Sequence, residues 1–362
     1  MTKTLLIAAG GTGGHLFPAA AFAEEMRRRG WRVVLMTDAR GRRYAQNFPA
    51  DAIEDVPAAT IQSRNPITAG LAAFKIWRGI GAAKQKLNEL DPALVAGFGG
   101  YPALPACWAA RAQKRPILIH EQNAVLGRVN RYFAKDAKAV ACAFERLDRM
   151  PADVRKVVTG NPVRPPILEA RARGYPLAPA GGALNLLVIG GSQGAKLFGE
   201  VIPAGVALLP EALRRRLHIV QQAREEQVAA VKAAYAAAGV AGADIAPFFA
   251  DMGDRLSAAH LVISRAGASS VTELMVAGRP AILIPLAIAA DDHQTANAEG
   301  MVKVAAADVI AEPAFTPEAL ARVLAQRLAD THDLSVRAAA ARAAGNPDAA
   351  KSLADLAESL AA

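Results

Sequence analysis

Two apolar runs, each ending in a cluster of glycines, constrain this chain more than any other feature. Residues 4–10, TLLIAAG, run into GTGGH and an Ala-rich stretch that ends at the basic run Arg27, Arg28 and Arg29 and the stop Gly30. Residues 183–189 run into GGSQGA, and a second helix-forming stretch starts at Lys196. A strand that turns through glycines into a helix is the opening βα unit of a doubly wound domain. Two such openings predict two domains of one architecture.

The remaining apolar runs fit that reading. Runs at 31–36, 93–96, 116–120 and 137–141 follow the first opening, and runs at 217–221, 261–264 and 280–285 follow the second. Helical or loop material separates them, which predicts the α/β class with parallel sheets covered on both faces. A chain of 362 residues is long enough for two cores. The stretch GNPVRPP at 160–166 and the Pro/Gly/Ala-rich stretch 174–182 are the expected linker region. A tail, residues 317–362, reads as helical with a break at 345–347 and a last apolar pattern at Leu353, Leu356 and Leu360.

Composition narrows the class. Cys107 and Cys142 are the two cysteines and form no CxxC pair, so a disulfide framework or structural zinc site is not expected, and a reducing cytoplasm fits. The apolar stretch at residues 5–9 is too short for a signal-peptide core, and no run approaches the length of a bilayer span. The net charge of +9 is uneven: residues 1–165 carry 25 Lys/Arg against 13 Asp/Glu, and the remainder 17 against 20. The first half is therefore expected to meet an anionic partner, although solubility alone also explains such an excess.

The glycine turns direct backbone N–H groups and the positive end of a helix dipole outward, a chemistry suited to phosphate. The first turn ends in His15, placed either for structure or for proton transfer at the ligand-binding edge of the sheet. The second carries Ser192 and Gln193. In SRAGASSVTELMVAG at 264–278, Ser269 or Ser270 reads as an N-cap, and Glu273 as either a capping-box carboxylate or a ribose ligand. Asp291, Asp292, His293, Gln294 and Asn297 crowd after the run at 280–285; successive side chains point apart, which favours sugar hydroxyls over a metal. His120, Glu121, Gln122 and Asn123 follow the strand-forming residues 116–119 and either cap a helix or line a ligand cleft. Between residues 67 and 86, Ile67, Leu71, Phe74, Trp77 and Ile80 recur at helical spacing among Lys75, Arg78, Lys84 and Lys86. That pattern suits an anionic membrane surface, or equally a core-facing helix with a solvated basic side.

The segments GGTGGH, GFGGYP, HEQN, GNPVR, GGSQGA, SRAGASSVTE and DDHQTANA, in this order between residues 10 and 297, resemble the MurG family of peptidoglycan glycosyltransferases. The resemblance implies a GT-B fold, two Rossmann-like domains with parallel sheets facing across a cleft. Residues 1–163 would form the acceptor and membrane-facing domain and residues 164–346 the UDP-sugar domain, with a final helix at about 347–362 returning to the first. It implies inverting transfer of N-acetylglucosamine from UDP-N-acetylglucosamine to the 4-hydroxyl of lipid I, giving lipid II.

Residue by residue, the resemblance makes Arg164 and Ser192 pyrophosphate contacts, Glu273 the ribose ligand and the backbone at Phe249 the uracil contact. Ala268, Ser269, Ser270, Val271 and Thr272 would form the helix N-terminus near phosphate and sugar, with Asn123, His293 and Gln294 beside the N-acetylglucosamine. Thr12, Gly13 and Gly14 belong to the donor motif and, with Tyr101, would border the acceptor pyrophosphate; His15 is the candidate general base. Neither a cofactor nor a protein-bound metal is expected. The implied partners are UDP-N-acetylglucosamine, lipid I, an anionic membrane surface and other cell-wall synthesis or division proteins, and no nucleic acid. The implied location is peripheral, on the cytoplasmic face of the bacterial inner membrane. Residues 286–289 depart from the family by offering no side-chain donor. Rival readings are another UDP-sugar:lipid transferase such as a diacylglycerol glucosyltransferase, or a non-catalytic nucleotide-sugar binder at a membrane assembly. A nicotinamide dehydrogenase is disfavoured because the first turn lacks the GxGxxG spacing.

Overall fold

The structure, a computed structural model, describes residues 2–10, 13–59, 66–179, 181–191 and 194–361. The chain divides into two compact units, Met1–Arg164 with Pro347–Ala362, and Pro165–Asn346. Each is a Rossmann-like α/β domain on a wholly parallel sheet.

In the first unit the strands are β1 (Thr4–Ala8), β2 (Arg32–Thr37), β3 (Ala52–Asp55), β4 (Leu94–Gly97), β5 (Ile117–Glu121), β6 (Ala139–Cys142) and β7 (Lys156–Val158). They lie in the order β3-β2-β1-β4-β5-β6-β7. The interior strands β1, β4, β5 and β6 are buried along their whole length, which is why they read as apolar runs apart from Thr4 at the start of β1 and His120 and Glu121 at the end of β5. Alternate side chains enter opposite layers. Leu5 and Ile7 join Phe22 and Met26 of the helix Gly13–Arg28, while Leu6 and Ala8 join Leu87, Cys107 and Phe133. The outer strands β3 (AIED) and β7 (KVV) are partly exposed and carry charge, as edges that resist further pairing do, so neither announces itself as a strand in the sequence.

The helix Ala349–Leu360 completes the first layer with Leu353, Ala354, Leu356 and Ala357. Its polar side is tied down as well: Arg29 reaches Asp355 at 2.6 Å and Glu358 at 2.8 Å, and Trp31 Nε1 donates to Glu358 at 3.0 Å. Both cysteines are free and buried.

The second unit repeats the plan with β8 (Leu184–Ile189), β9 (Leu217–Gln222), β10 (Gly242–Ala246), β11 (Leu261–Ser264), β12 (Ala281–Leu283) and β13 (Ala307–Val309), ordered β10-β9-β8-β11-β12-β13. Leu184, Leu186 and Val188 face Phe198, Ile202, Leu320 and Leu324. The helices Pro317–Ala329 and Thr331–Ala344 belong to this unit, so the tail is divided between the two units at the break read at 345–347.

The boundary between the units, at Arg164 and Pro165, falls inside the expected stretch 160–166, but the second expected stretch, 174–182, is corrected. Pro165–Arg173 is a helix, and the Gly/Pro-rich segment after it lies inside the second unit. The wholly buried Arg279 explains why: its guanidinium donates to the carbonyls of Gly174 (2.6 Å), Leu256 (2.5 Å), Ala277 (2.7 Å), Gly278 (3.0 Å) and Ser257 (3.1 Å), fastening the segment to the domain.

In both sheets the direction of winding reverses once, between β1 and β4 and between β8 and β11. Ligands of such domains bind beyond the carboxyl ends of the strands at that reversal. The two glycine turns stand there.

Candidate active site

At the first reversal, the turn after β1 meets the segment that follows β4. Thr12 lies outside the described residues. Gly13 and Gly14 open the helix Gly13–Arg28, and His15 stands in its first turn, partly exposed. Gly100 has φ +72°, and a Cβ there would come within 3.3 Å of His15 Cδ2 and 3.4 Å of Nε2, so only glycine leaves that imidazole edge open. The other edge is engaged, with His15 Nδ1 2.9 Å from Gln122 Oε1.

Tyr101 Oη donates to Asp38 Oδ2 at 2.8 Å, and Asp38 Oδ1 caps the helix Ala39–Tyr44 through Gly41 N. Burial first, then the Asp38 carboxylate, pushes the Tyr101 phenol above its ordinary value, so it remains a hydroxyl. The Arg164 guanidinium lies 4.3 Å from the centre of the exposed Phe17 ring, a contact with no motif to signal it.

The four polar residues at 120–123 divide by role. His120, Glu121 and Gln122 are buried, and only Asn123 is partly exposed. Glu121 accepts four N–H groups: Asn123 N at 3.0 Å, Asn123 Nδ2 at 3.1 Å, Gly127 N at 2.9 Å and Asn130 Nδ2 at 2.8 Å. It shapes the loop that presents Asn123. None of the four caps the helix Arg128–Phe133 through a side chain; its N-cap is Gly127.

At the second reversal, Ser192 and Gln193 lie outside the described residues, but the flanks of their turn are clear. A Cβ on Gly190 would stand 2.4 Å from Ala195 N, so the turn is too tight for any side chain. Gln222, at the end of β9, joins this turn to its neighbour, accepting from Gly190 N at 3.2 Å and donating to Pro247 O at 3.1 Å. Phe249 is buried under the Arg255 guanidinium, 3.9 Å from the ring centre, so its side chain is spent on packing and its backbone is what a ligand would meet.

The helix Ala268–Ala277 begins differently from the sequence expectation. Its N-cap is Gly267, which makes no side-chain cap bond, and Ser269 and Ser270 sit inside the first turn. Glycine at the cap contributes no side chain to the first turn, and a helix N-terminus of this kind suits an anion. Val271 and Thr272 are buried, and the Thr272 hydroxyl donates back to Ala268 O at 2.8 Å, whereas Ser269, Ser270 and Glu273 are partly exposed. Ala268, Val271 and Thr272 thus offer backbone rather than side chain.

After β12, Asp291 and Asp292 take left-handed conformations (φ +58° and +51°), and the helix His293–Lys303 follows. Asp292 accepts from Thr295 Oγ1 at 2.7 Å. Gln294 Oε1 accepts Leu286 N at 3.0 Å, fastening the very loop that has no polar side chains of its own. Asn297, fully buried, donates to Ala266 O at 3.1 Å, and Arg265 pairs with Glu312 at 2.6 Å, so the loops after β11, β12 and β13 are held together. Among the described residues no group of three or more His, Cys, Asp or Glu side chains could hold a metal. Gln222 and the Arg265–Glu312 pair were missed by the sequence reading. The available signal was a polar residue at the carboxyl end of a buried apolar run.

Comparison with known proteins gives these sites a lineage. Residues 5–142 match the glycosyltransferase family 28 N-terminal domain and residues 185–353 the C-terminal domain of the same family. A Maricaulis maris protein, UDP-N-acetylglucosamine--N-acetylmuramyl-(pentapeptide) pyrophosphoryl-undecaprenol N-acetylglucosamine transferase, is 52% identical over 354 residues, spanning 97% of this chain and 96% of the relative. A Caulobacter vibrioides protein of the same name is 50% identical over 360 residues, 99% of each. The crystal structure of Acinetobacter baumannii MurG superposes with a TM-score of 0.80 at 35% identity, covering 99% of both chains. The glycotransferase of kitacinnamycin, 18% identical with a TM-score of 0.70, shares the fold. With both domain models matched and relatives this similar along its whole length, the chain belongs to glycosyltransferase family 28.

Proposed function

We propose that the protein transfers N-acetylglucosamine from UDP-N-acetylglucosamine to the 4-hydroxyl of the N-acetylmuramoyl-pentapeptide carried on undecaprenyl pyrophosphate, turning lipid I into lipid II. The observation that carries this reading is the 52% identity with a transferase of that name along nearly the full length of both proteins. The reading assigns the donor to the second unit and the acceptor to the first.

The chemistry follows from the parts. The acceptor hydroxyl attacks the anomeric carbon in line, its proton passes to His15 Nε2, and the bond from that carbon to the UDP oxygen breaks, inverting the centre. The charge left on UDP is met by the first-turn N–H groups of the helix Ala268–Ala277, by the Gly190 turn with Ser192, and by Arg164. Glu273 accepts from the ribose hydroxyls and the backbone at Phe249 meets the uracil. Asn123, His293 and Gln294 hold the sugar, while Thr12, Gly13, Gly14 and Tyr101 border the acceptor pyrophosphate.

The acceptor's lipid places the reaction at a membrane surface. Support comes from the helix Pro66–Leu90, where Leu71, Phe74 and Trp77 are 65%, 56% and 69% exposed beside exposed Lys75 and Arg78. The Phe74 and Trp77 rings stack 5.9 Å apart. Ala83 and Leu87 further along the same helix enter the core, so its first half offers an apolar surface that the core does not use. Among the described residues no helix is long and apolar enough to cross a bilayer. A peripheral contact with anionic lipid, on the face where UDP-sugars are made, follows from this reading.

The test is a UDP-release assay with a short-chain lipid I analogue, set against UDP-glucose with diacylglycerol. The reading expects release with the first pair, and His15→Ala slowing turnover about 10²- to 10⁴-fold while UDP affinity holds. Release with the second pair alone, or equal loss of turnover and donor binding in His15→Ala, overturns it.

A further inference from the structure

Behind His15 stands a buried imidazole that the reaction above does not use. His120 is at the end of β5 with its ring 5.0 Å from that of Phe98, and its Nε2 lies 3.1 Å from Gly160 O. A backbone carbonyl only accepts, so His120 Nε2 carries a proton. Burial pushes this imidazole down to about 4, so near neutral pH it is uncharged and its Nδ1 is a bare acceptor.

That assignment decides the next group. Gln122 Nε2 lies 3.0 Å from His120 Nδ1 and 3.1 Å from His120 O, two acceptors. Rotating the carboxamide by half a turn would set its oxygen against both, so the NH₂ faces His120 and Oε1 faces away. Oε1 is the atom 2.9 Å from His15 Nδ1. An amide oxygen accepts, hence His15 Nδ1 donates, and in the neutral ring Nε2 keeps its lone pair. The sequence of donors and acceptors is thus fixed from the two backbone carbonyls outward.

We propose that Gln122 and His120 form a positioning relay that sets the tautomer of His15, keeping its proton on Nδ1 and its lone pair on Nε2, the edge left open by Gly100. The proposal rests on the reading of His15 as the base. An unconstrained neutral histidine favours the opposite tautomer, with the proton on Nε2, which accepts nothing at that edge. When Nε2 takes the acceptor's proton, Nδ1–H still donates to Gln122, so no hydrogen bond reorganises during the step. An amide accomplishes this without adding a second negative charge beside the buried Glu121 carboxylate.

The experiment is a long-range ¹H–¹⁵N correlation spectrum of the ¹⁵N-histidine-labelled full chain, without substrate, at a pH where His15 is neutral. The His15 signals are identified by their loss in His15→Ala. The relay predicts a protonated Nδ1 and a bare Nε2 in the wild type. It predicts a shift toward the Nε2–H form in Gln122→Leu, where kcat falls on the order of 10²-fold with KM for UDP-N-acetylglucosamine unchanged. His120→Phe preserves the ring packing and removes one of the two acceptors that hold the carboxamide NH₂, leaving only the carbonyl of residue 120, and is expected to admit some of the Nε2–H tautomer; it serves if Gln122→Leu does not fold. An Nε2–H wild type, or an unchanged tautomer in Gln122→Leu or His120→Phe, overturns the relay. Because the tautomer is read on the resting protein, a correct tautomer without product formation sinks the functional reading and spares the relay. Product formation with the wrong tautomer does the reverse.

Discussion

Gln222 Oε1 accepts the backbone N–H of Gly190 at 3.2 Å, so a side chain from one strand end fixes the glycine turn at the next. The same carboxamide holds Pro247 O, two residues before Phe249. A buried hydrogen bond left unmade costs about 1–3 kcal/mol. Gln222→Leu is therefore expected to raise the dissociation constant of UDP roughly tenfold in calorimetric titration, with a smaller effect on kcat. Unchanged UDP affinity would show that the turn and the segment at Phe249 are not parts of one donor site.

Glu273 separates capping from ligand binding. Because the N-cap of its helix is Gly267, removing the carboxylate deletes no cap. Glu273→Ala should leave the unfolding temperature within about 2 °C of wild type, a smaller change than loss of a cap worth about 1 kcal/mol would cause. It should also weaken UDP roughly tenfold, as loss of hydrogen bonds to a charged group does. Dideoxy-UDP, which lacks both ribose hydroxyls, should not respond to the substitution. An equal response from both nucleotides contradicts the ribose assignment.

How much of this was legible beforehand depended on burial. The interior strands announce themselves because a parallel strand covered on both faces must be apolar throughout. The edge strands β3 and β7 do not, because Glu54, Asp55 and Lys156 belong on a solvated edge. The Gly/Pro-rich stretch after Arg173 resembled a linker because the group that fastens it, Arg279, lies more than a hundred positions away. The glycine turns and the polar clusters after each strand were legible in the same way. The division of HEQN into a loop-shaping Glu121, a relay of His120 and Gln122 and a presented Asn123 was not, since it depends on which side chains face Gly160 and His15 in three dimensions.

The surface at Leu71, Phe74 and Trp77 predicts a graded membrane dependence. Burying one large apolar side chain is worth about 1.5–3 kcal/mol, so Phe74→Ala with Trp77→Ala should lower partitioning to anionic vesicles at least roughly tenfold. Turnover of a vesicle-borne acceptor should fall with it, and turnover of a short-chain soluble analogue should not. Flotation that ignores both substitutions and anionic lipid would contradict the membrane contact.

Acid should loosen the first unit through Glu25. The Arg28 guanidinium, against the opposing effect of burial and with help from Arg29, holds this carboxyl down to about 2 from 4.5. A depressed value means that the folded state binds fewer protons than the unfolded one. The stabilisation is complete above about 4.5 and is lost as the pH falls toward 2. Glu25→Gln should lower the unfolding temperature at pH 7, and its deficit against wild type should close across that acid window. A deficit independent of pH would mean that the ion pairs with Arg28 and Arg29 are not its source.

The most direct measurement is structural analysis of the product made from UDP-N-acetylglucosamine and a short-chain lipid I analogue, by mass spectrometry and by the anomeric proton coupling. The account predicts a gain of one N-acetylhexosamine, β-linked to the 4-hydroxyl of the muramoyl residue, with UDP released in equal amount. No mass gain, or an α linkage, would contradict it.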